Sequence, residues 1–111
     1  MKKIVCMFPG QGSQKQGMGT DLFDAFPKLV DRANDILGYD IKEICLNNHE
    51  NKLNQTQYTQ PIVFVVNSLS YFRFFEERGT PDIVLGHSLG EFNALLAAEV
   101  FDFETGLNLV K

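Results

Sequence analysis

Five residues, Gly86-His87-Ser88-Leu89-Gly90, restrict this chain more than any other stretch of it. They fit G-x-S-x-G, in which a serine sits on a turn too sharp for side chains at the flanking glycines. The neighbours agree. Pro81-Asp82-Ile83-Val84-Leu85 is short and apolar and reads as a buried strand, while residues 91–99 are rich in strong helix formers. Strand, tight turn and helix together lift the Ser88 hydroxyl clear of the backbone and aim it at a substrate. A serine so placed can take up an acyl group.

The rest of the chain supplies a scaffold for that turn. Residues 3–8 read as a first strand, and residues 9–19 as a loop rich in glycine and glutamine. Thr20 or Asp21 can cap a short helix through Phe26, and Pro27 opens a second that Gly38 stops. Asp40 with Glu43 resembles a capping box for a helix over 41–46, and residues 47–57 read as polar loop. From Gln60 to Arg78 two signals compete. Ile62-Val63-Phe64-Val65-Val66 suits a strand, yet Leu69, Phe72 and Phe75 follow at helical spacing. With Thr59 as cap, Pro61 in the first turn and Gly79 as stop, one long buried helix is the better reading. A strand at 82–85, the helix after Ser88, and a last helix capped at Asp102 and running at Lys111 complete the order. The expected fold is α/β, a parallel sheet covered by helices. The loops after both strands then emerge at one carboxyl edge, where open α/β sheets bind ligands, so the Gln-rich loop and Ser88 share a candidate pocket.

Composition removes other classes of function. The 111 residues suit one domain, and a hydrophobic content of 44% is ordinary for a globular chain. Net charge is −4, with 10 basic and 14 acidic residues and no basic cluster, which argues against nucleic acid as a partner. The apolar run 4–8 is too short for a secretory leader, and no run reaches the ~18 apolar residues of a membrane span, so the cytoplasm is the default compartment. Cys6 and Cys45 read as reduced, buried hydrophobes. No metal site is expected. Gly10-x-Gly12 does not begin a nucleotide loop, because Lys15 stands where the dinucleotide fingerprint needs glycine.

Individual residues have plainer readings as well. His87 cannot easily turn onto its neighbour's hydroxyl, so it is expected to buttress the turn beside the pocket and not to act as the base. His49 reads as a solvated loop residue. Gln11 and Gln60 each stand between a site role and a plain one. Phe64, Phe72, Phe74, Phe75, Phe92, Phe101 and Phe103 are core residues by default.

Three motifs in order sharpen this picture: Phe8-Pro9-Gly10-Gln11-Gly12-Ser13-Gln14, Tyr58-Thr59-Gln60-Pro61, and Gly86-His87-Ser88-Leu89-Gly90-Glu91. Together they resemble the amino-terminal part of malonyl-CoA:acyl-carrier-protein transacylases and of the acyltransferase domains of fatty acid and polyketide synthases. The resemblance implies an α/β-hydrolase-like core, of which residues 1–111 are the amino-terminal part of the large subdomain, without the ferredoxin-like subdomain. It implies ping-pong transfer of malonyl from malonyl-CoA to acyl carrier protein. Ser88 is then the nucleophile, the N–H groups of Gln11 and Leu89 form the oxyanion hole, and Gln60 and His87 line the substrate pocket. No cofactor is implied, since phosphopantetheine travels on the carrier protein, and the intact protein is expected to be a monomer. The family's histidine base and carboxylate-binding arginine are expected beyond Lys111. The 111-residue piece alone is therefore expected to lack turnover and to leave Phe101, Leu107 and Leu109 without cover. A branched residue at Leu89 implies malonyl over methylmalonyl. A serine esterase or thioesterase shares the elbow, but a His-Gly-Gly-Gly oxyanion segment is absent. A non-catalytic fragment is the other alternative.

Overall fold

A computed structural model describes residues 3–111, the side chain of His49 excepted. The expectation for that imidazole therefore lies outside the described residues. The elements are β1 (Val5–Phe8), α1 (Thr20–Ala25), α2 (Pro27–Leu37), α3 (Ile41–Asn47), a 3-10 segment His49–Asn54, α4 (Thr56–Arg78), β2 (Ile83–Gly86), α5 (Gly90–Ala97) and α6 (Phe103–Val110). The fold is α/β, as expected. β1 and β2 pair in parallel, Val5 opposite Ile83 and Phe8 opposite Gly86. A parallel pair needs a long crossover, and the helices from α1 to α4 provide it.

Strand alternation decides where the sheet packs. Cys6, Phe8 and Val84 face inward against Tyr71, Phe72 and Phe74 of α4 and Ala94 and Ala97 of α5. The opposite face is open: Val5, Met7, Ile83 and Leu85 are all exposed, Met7 by 74% and Leu85 by 50%. The buried strand expected at 82–85 is thus buried on one side only. A parallel sheet closes when helices cover both faces, and the described helices cover one.

The main core surrounds α4. Ile62, Val63, Phe64, Val65 and Leu69 are fully buried there among Val30, Ile41, Cys45, Leu53, Phe103 and Leu107. Phe64 and Phe103 stack with centroids 6.0 Å apart. Leu107 has no exposure, contrary to the expectation that it lacks cover, because α6 lays that face on α4 and α2. Leu109 is exposed as expected, and Phe101 is half-buried. Phe75 stands out of the core, 47% exposed, near the free end of α4.

Cap chemistry explains most boundaries and corrects three. Asp40 caps α3 by accepting from the Lys42 and Glu43 N–H groups, and Asp102 caps α6 by accepting from Thr105 N–H. Gly19, in left-handed backbone at φ 79°, caps α1 in place of Thr20 or Asp21. The polar loop expected at 47–57 contains the 3-10 segment, interrupted at Glu50 and Asn51, both at positive φ. α4 begins at Thr56, so Thr59 lies within it. The Thr59 hydroxyl reaches the carbonyls of Leu53 (2.6 Å) and Gln55 (3.0 Å), fastening the segment before the helix to its first turn.

Candidate functional site

The turn after β2 is held by its backbone. His87 N–H donates to the Phe8 carbonyl at 3.0 Å, tying the elbow to the end of β1. Gly90 N–H donates to His87 O, Glu91 N–H to Ser88 O and Phe92 N–H to Leu89 O, each at 3.0 Å. These bonds force Ser88 to φ 56°, a left-handed conformation that a side chain occupies at a cost of about 1–2 kcal/mol. The strain falls on an exposed serine. The flanking glycines follow from packing: a Cβ on Gly86 would overlap the Gly90 backbone, and a Cβ on Gly90 would overlap the Phe8 carbonyl.

The loop after β1 lies directly on this turn. A Cβ on Gly10 would stand 2.6 Å from His87 O, 3.1 Å from Ser88 Cβ and 3.3 Å from Leu89 N. Only glycine lets the two loops touch, as the shared-pocket expectation requires. Polar side chains hold the loop. Ser13 Oγ donates to Gly10 O (2.8 Å), Gly12 N–H to Gln14 Oε1 (2.7 Å), and Gln16 Nε2 to Leu46 O (2.9 Å). Gln14 reaches Asn54 and Gln11 reaches Thr56, both at 3.2 Å. The glutamines of this loop are staples to α3, the 3-10 segment and α4.

Each expected site residue can now be placed. Ser88 is exposed, and its hydroxyl makes no hydrogen bond among the described residues. The N–H groups of Leu89 and Gln11 likewise have no partner among the described residues and flank the Gly10–Ser88 contact in sequence. The Leu89 side chain turns into the main core. Gln60 is half-buried, one turn along α4 from the Thr56 that Gln11 contacts, and therefore on the same helix face. His87 is exposed and lines a cavity of about 390 Å³ with Met7, Phe8, Pro9, Leu85 and Gly86. Its imidazole makes no hydrogen bond among the described residues; backbone bonds, and not the ring, buttress the turn.

Neither cysteine competes with the serine. Burial pushes the Cys45 thiol up to about 12 and raises that of Cys6, so both stay protonated and weakly nucleophilic. Among the described residues no group of three or more His, Cys, Asp or Glu side chains could hold a metal ion, and no helix is long and apolar enough to cross a membrane. The arrangement presents an exposed serine hydroxyl on a tight turn, with the loop after β1 packed against it at Gly10.

Sequence reasoning missed a polar cluster beneath the site. Asn67, Ser68 and Asn93 are buried and hydrogen-bonded to one another, and Asn67 Nδ2 also donates to Pro9 O at 2.8 Å. The available signal was an Asn-Ser pair inside an apolar helical run, and an asparagine on the apolar helix after the elbow.

Residues 5–110 match the acyl transferase domain family. The chain is 62% identical over 109 residues to a polyketide biosynthesis malonyl CoA-acyl carrier protein transacylase of Bacillus subtilis, covering 97% of this chain and 38% of that protein. A counterpart of the same description from Bacillus velezensis is 55% identical over the same shares. The crystal structure of a malonyl CoA-acyl carrier protein transacylase from Burkholderia pseudomallei superposes with a TM-score of 0.95 at 54% identity, over 99% of this chain and 38% of that one. The chain thus spans 38% of the length of these relatives.

Proposed function

The chain belongs to the acyl transferase domain family, and from that premise we propose that the protein moves a malonyl group from coenzyme A to the phosphopantetheine thiol of an acyl carrier protein. Ser88 Oγ attacks the thioester carbonyl and gives up its proton; coenzyme A leaves as the thiol and an acyl-serine remains. The carrier's thiol then attacks that ester, and Ser88 leaves with its proton restored. In both steps a tetrahedral oxyanion forms, and the N–H groups of Leu89 and Gln11 receive it. Gln60 and His87 border the substrate.

The single observation behind this reading is the contact of Gly10 with Ser88 and Leu89, which brings the Gln11 segment to the nucleophile. The names of the relatives in Bacillus favour a polyketide pathway and a malonyl donor. Action as a monomer in the cytoplasm completes the reading. The proton of Ser88 goes to a base that the described residues do not place beside it, and the family resemblance assigns that base to a histidine beyond Lys111.

The test is acyl transfer by the full-length protein, with malonyl-CoA and methylmalonyl-CoA in competition and the carrier protein present or absent. Malonyl reaching the carrier's thiol, in preference to methylmalonyl and with little release to water, is the expected result. Rapid release to water with no need for the carrier would favour the hydrolase alternative.

A further inference from the structure

We infer that Asn67 and Asn93 form a positioning link that holds the two oxyanion donors, Gln11 N–H and Leu89 N–H, at their working separation. This rests on the acyl-transfer reading above.

The two donors belong to segments far apart in sequence, one following β1 and one following β2. No hydrogen bond joins Gln11 directly to Ser88 or Leu89 among the described residues. Something must fix their spacing, because a donor displaced by a fraction of an ångström no longer meets the oxyanion. Asn67, on α4, does this for the first segment: its Nδ2 donates to Pro9 O at 2.8 Å. That bond orients the peptide unit leading into Gly10, the residue lying on the elbow. The second proton of the same Nδ2 goes to Asn93 Oδ1 at 3.2 Å. Asn93 lies on α5, the helix that starts at the elbow. Its own Nδ2 donates to Phe64 O (2.9 Å) and Ser68 Oγ (3.0 Å), both on α4. Ser68 Oγ in turn donates to Phe64 O at 2.8 Å.

Both halves of the oxyanion hole therefore hang from one turn of one helix. The arrangement is costly unless it has a use. Asn93 is 1% exposed and Ser68 not at all, and burying amides among apolar side chains is favourable only when their bonds are made. Leucine at either asparagine would fill similar space and carry no such requirement. Neither asparagine contacts Ser88 by any hydrogen bond, so both act through the backbone they hold.

The experiment uses the full-length protein and measures single-turnover acylation of Ser88 by malonyl-CoA, per folded molecule, across malonyl-CoA concentrations. Asn67→Leu removes the donor at similar volume. Asn67→Asp keeps the shape and places a carboxylate oxygen against Pro9 O, and it carries the decision if the leucine variant does not fold. The link predicts a maximal acylation rate lower by about 10-fold or more, with the half-saturating malonyl-CoA concentration changed by about twofold or less. A residue that only fills space would alter thermal stability and leave the acylation rate of folded molecules unchanged. That result in both variants, or a change confined to half-saturation, would overturn the inference while acyl transfer stood. A wild-type protein that forms no Ser88-dependent adduct would sink the proposed function, and this inference with it.

Discussion

Under the proposed function Ser88 carries the chemistry, and its backbone carries strain. Its φ of 56° suits glycine, so stability and function pull apart at this position. Ser88→Gly is expected to leave folding stability equal to wild type or higher by up to about 1 kcal/mol, while Ser88→Val lowers it by about 1–2 kcal/mol because a β-branched side chain fits this region poorly. Urea denaturation of the full-length proteins checks both; a Ser88→Val protein as stable as wild type would show that the turn is unstrained. The elbow was legible in the sequence because its glycines and serine are spaced by sterics alone. The rest of the residue-scale site was less so. Gln11 and Gln60 stood open on composition, since a glutamine in a loop and one near a helix start carry no local signature. The ring of His87 was expected to support the turn, but the backbone already satisfies it there.

At the scale of elements, the order of strands and helices could be read from periodicity, and both aspartate caps could be named. The start of α4 could not. Thr59 resembles an N-cap, but its hydroxyl reaches back to Leu53 and Gln55, and the helix begins three residues earlier. The link through Asn67 and Asn93 was invisible because it joins residues on three segments, a tertiary fact that no single window contains. Close approach of α5 to β1 is the element-scale feature that the elbow needs most. A Cβ on Gly90 would overlap the Phe8 carbonyl, and backbone on both sides leaves nothing flexible to give way. Gly90→Ala is therefore expected to cost about 3 kcal/mol or more, at the upper end of overpacking effects. A chemical denaturation curve that matches wild type would mean that strand and helix stand further apart than described.

For the molecule as a whole, one face of the sheet decides behaviour in solution. Parallel sheets read as continuous apolar runs, so the sequence could not reveal which side of β1 and β2 is open here. Val5, Met7, Ile83 and Leu85 form a contiguous apolar patch that the 111-residue chain exposes. That chain on its own is expected to self-associate, and Met7→Lys with Leu85→Lys to reduce this markedly. Sedimentation of the two proteins tests it, and a 111-residue chain that stays monomeric at high concentration would show that the patch does not drive association. Phe101, Leu107 and Leu109 were the residues expected to lack cover; α6 buries Leu107 and leaves Leu109 exposed, and the open sheet face adds Val5, Met7, Ile83 and Leu85 to the exposed apolar surface. Under the proposed function, turnover is expected of the full-length protein and not of the 111-residue chain, since a serine hydroxyl is a weak nucleophile until a base takes its proton.

The central claim is that the strained serine at the elbow takes the acyl group. Its most direct test is the intact mass of the full-length protein after brief incubation with malonyl-CoA, beside a Ser88→Ala protein treated alike. The wild-type protein should gain the mass of one malonyl group, located by fragmentation to Ser88, and the Ser88→Ala protein should gain none. A malonyl adduct that persists in the Ser88→Ala protein would contradict the account.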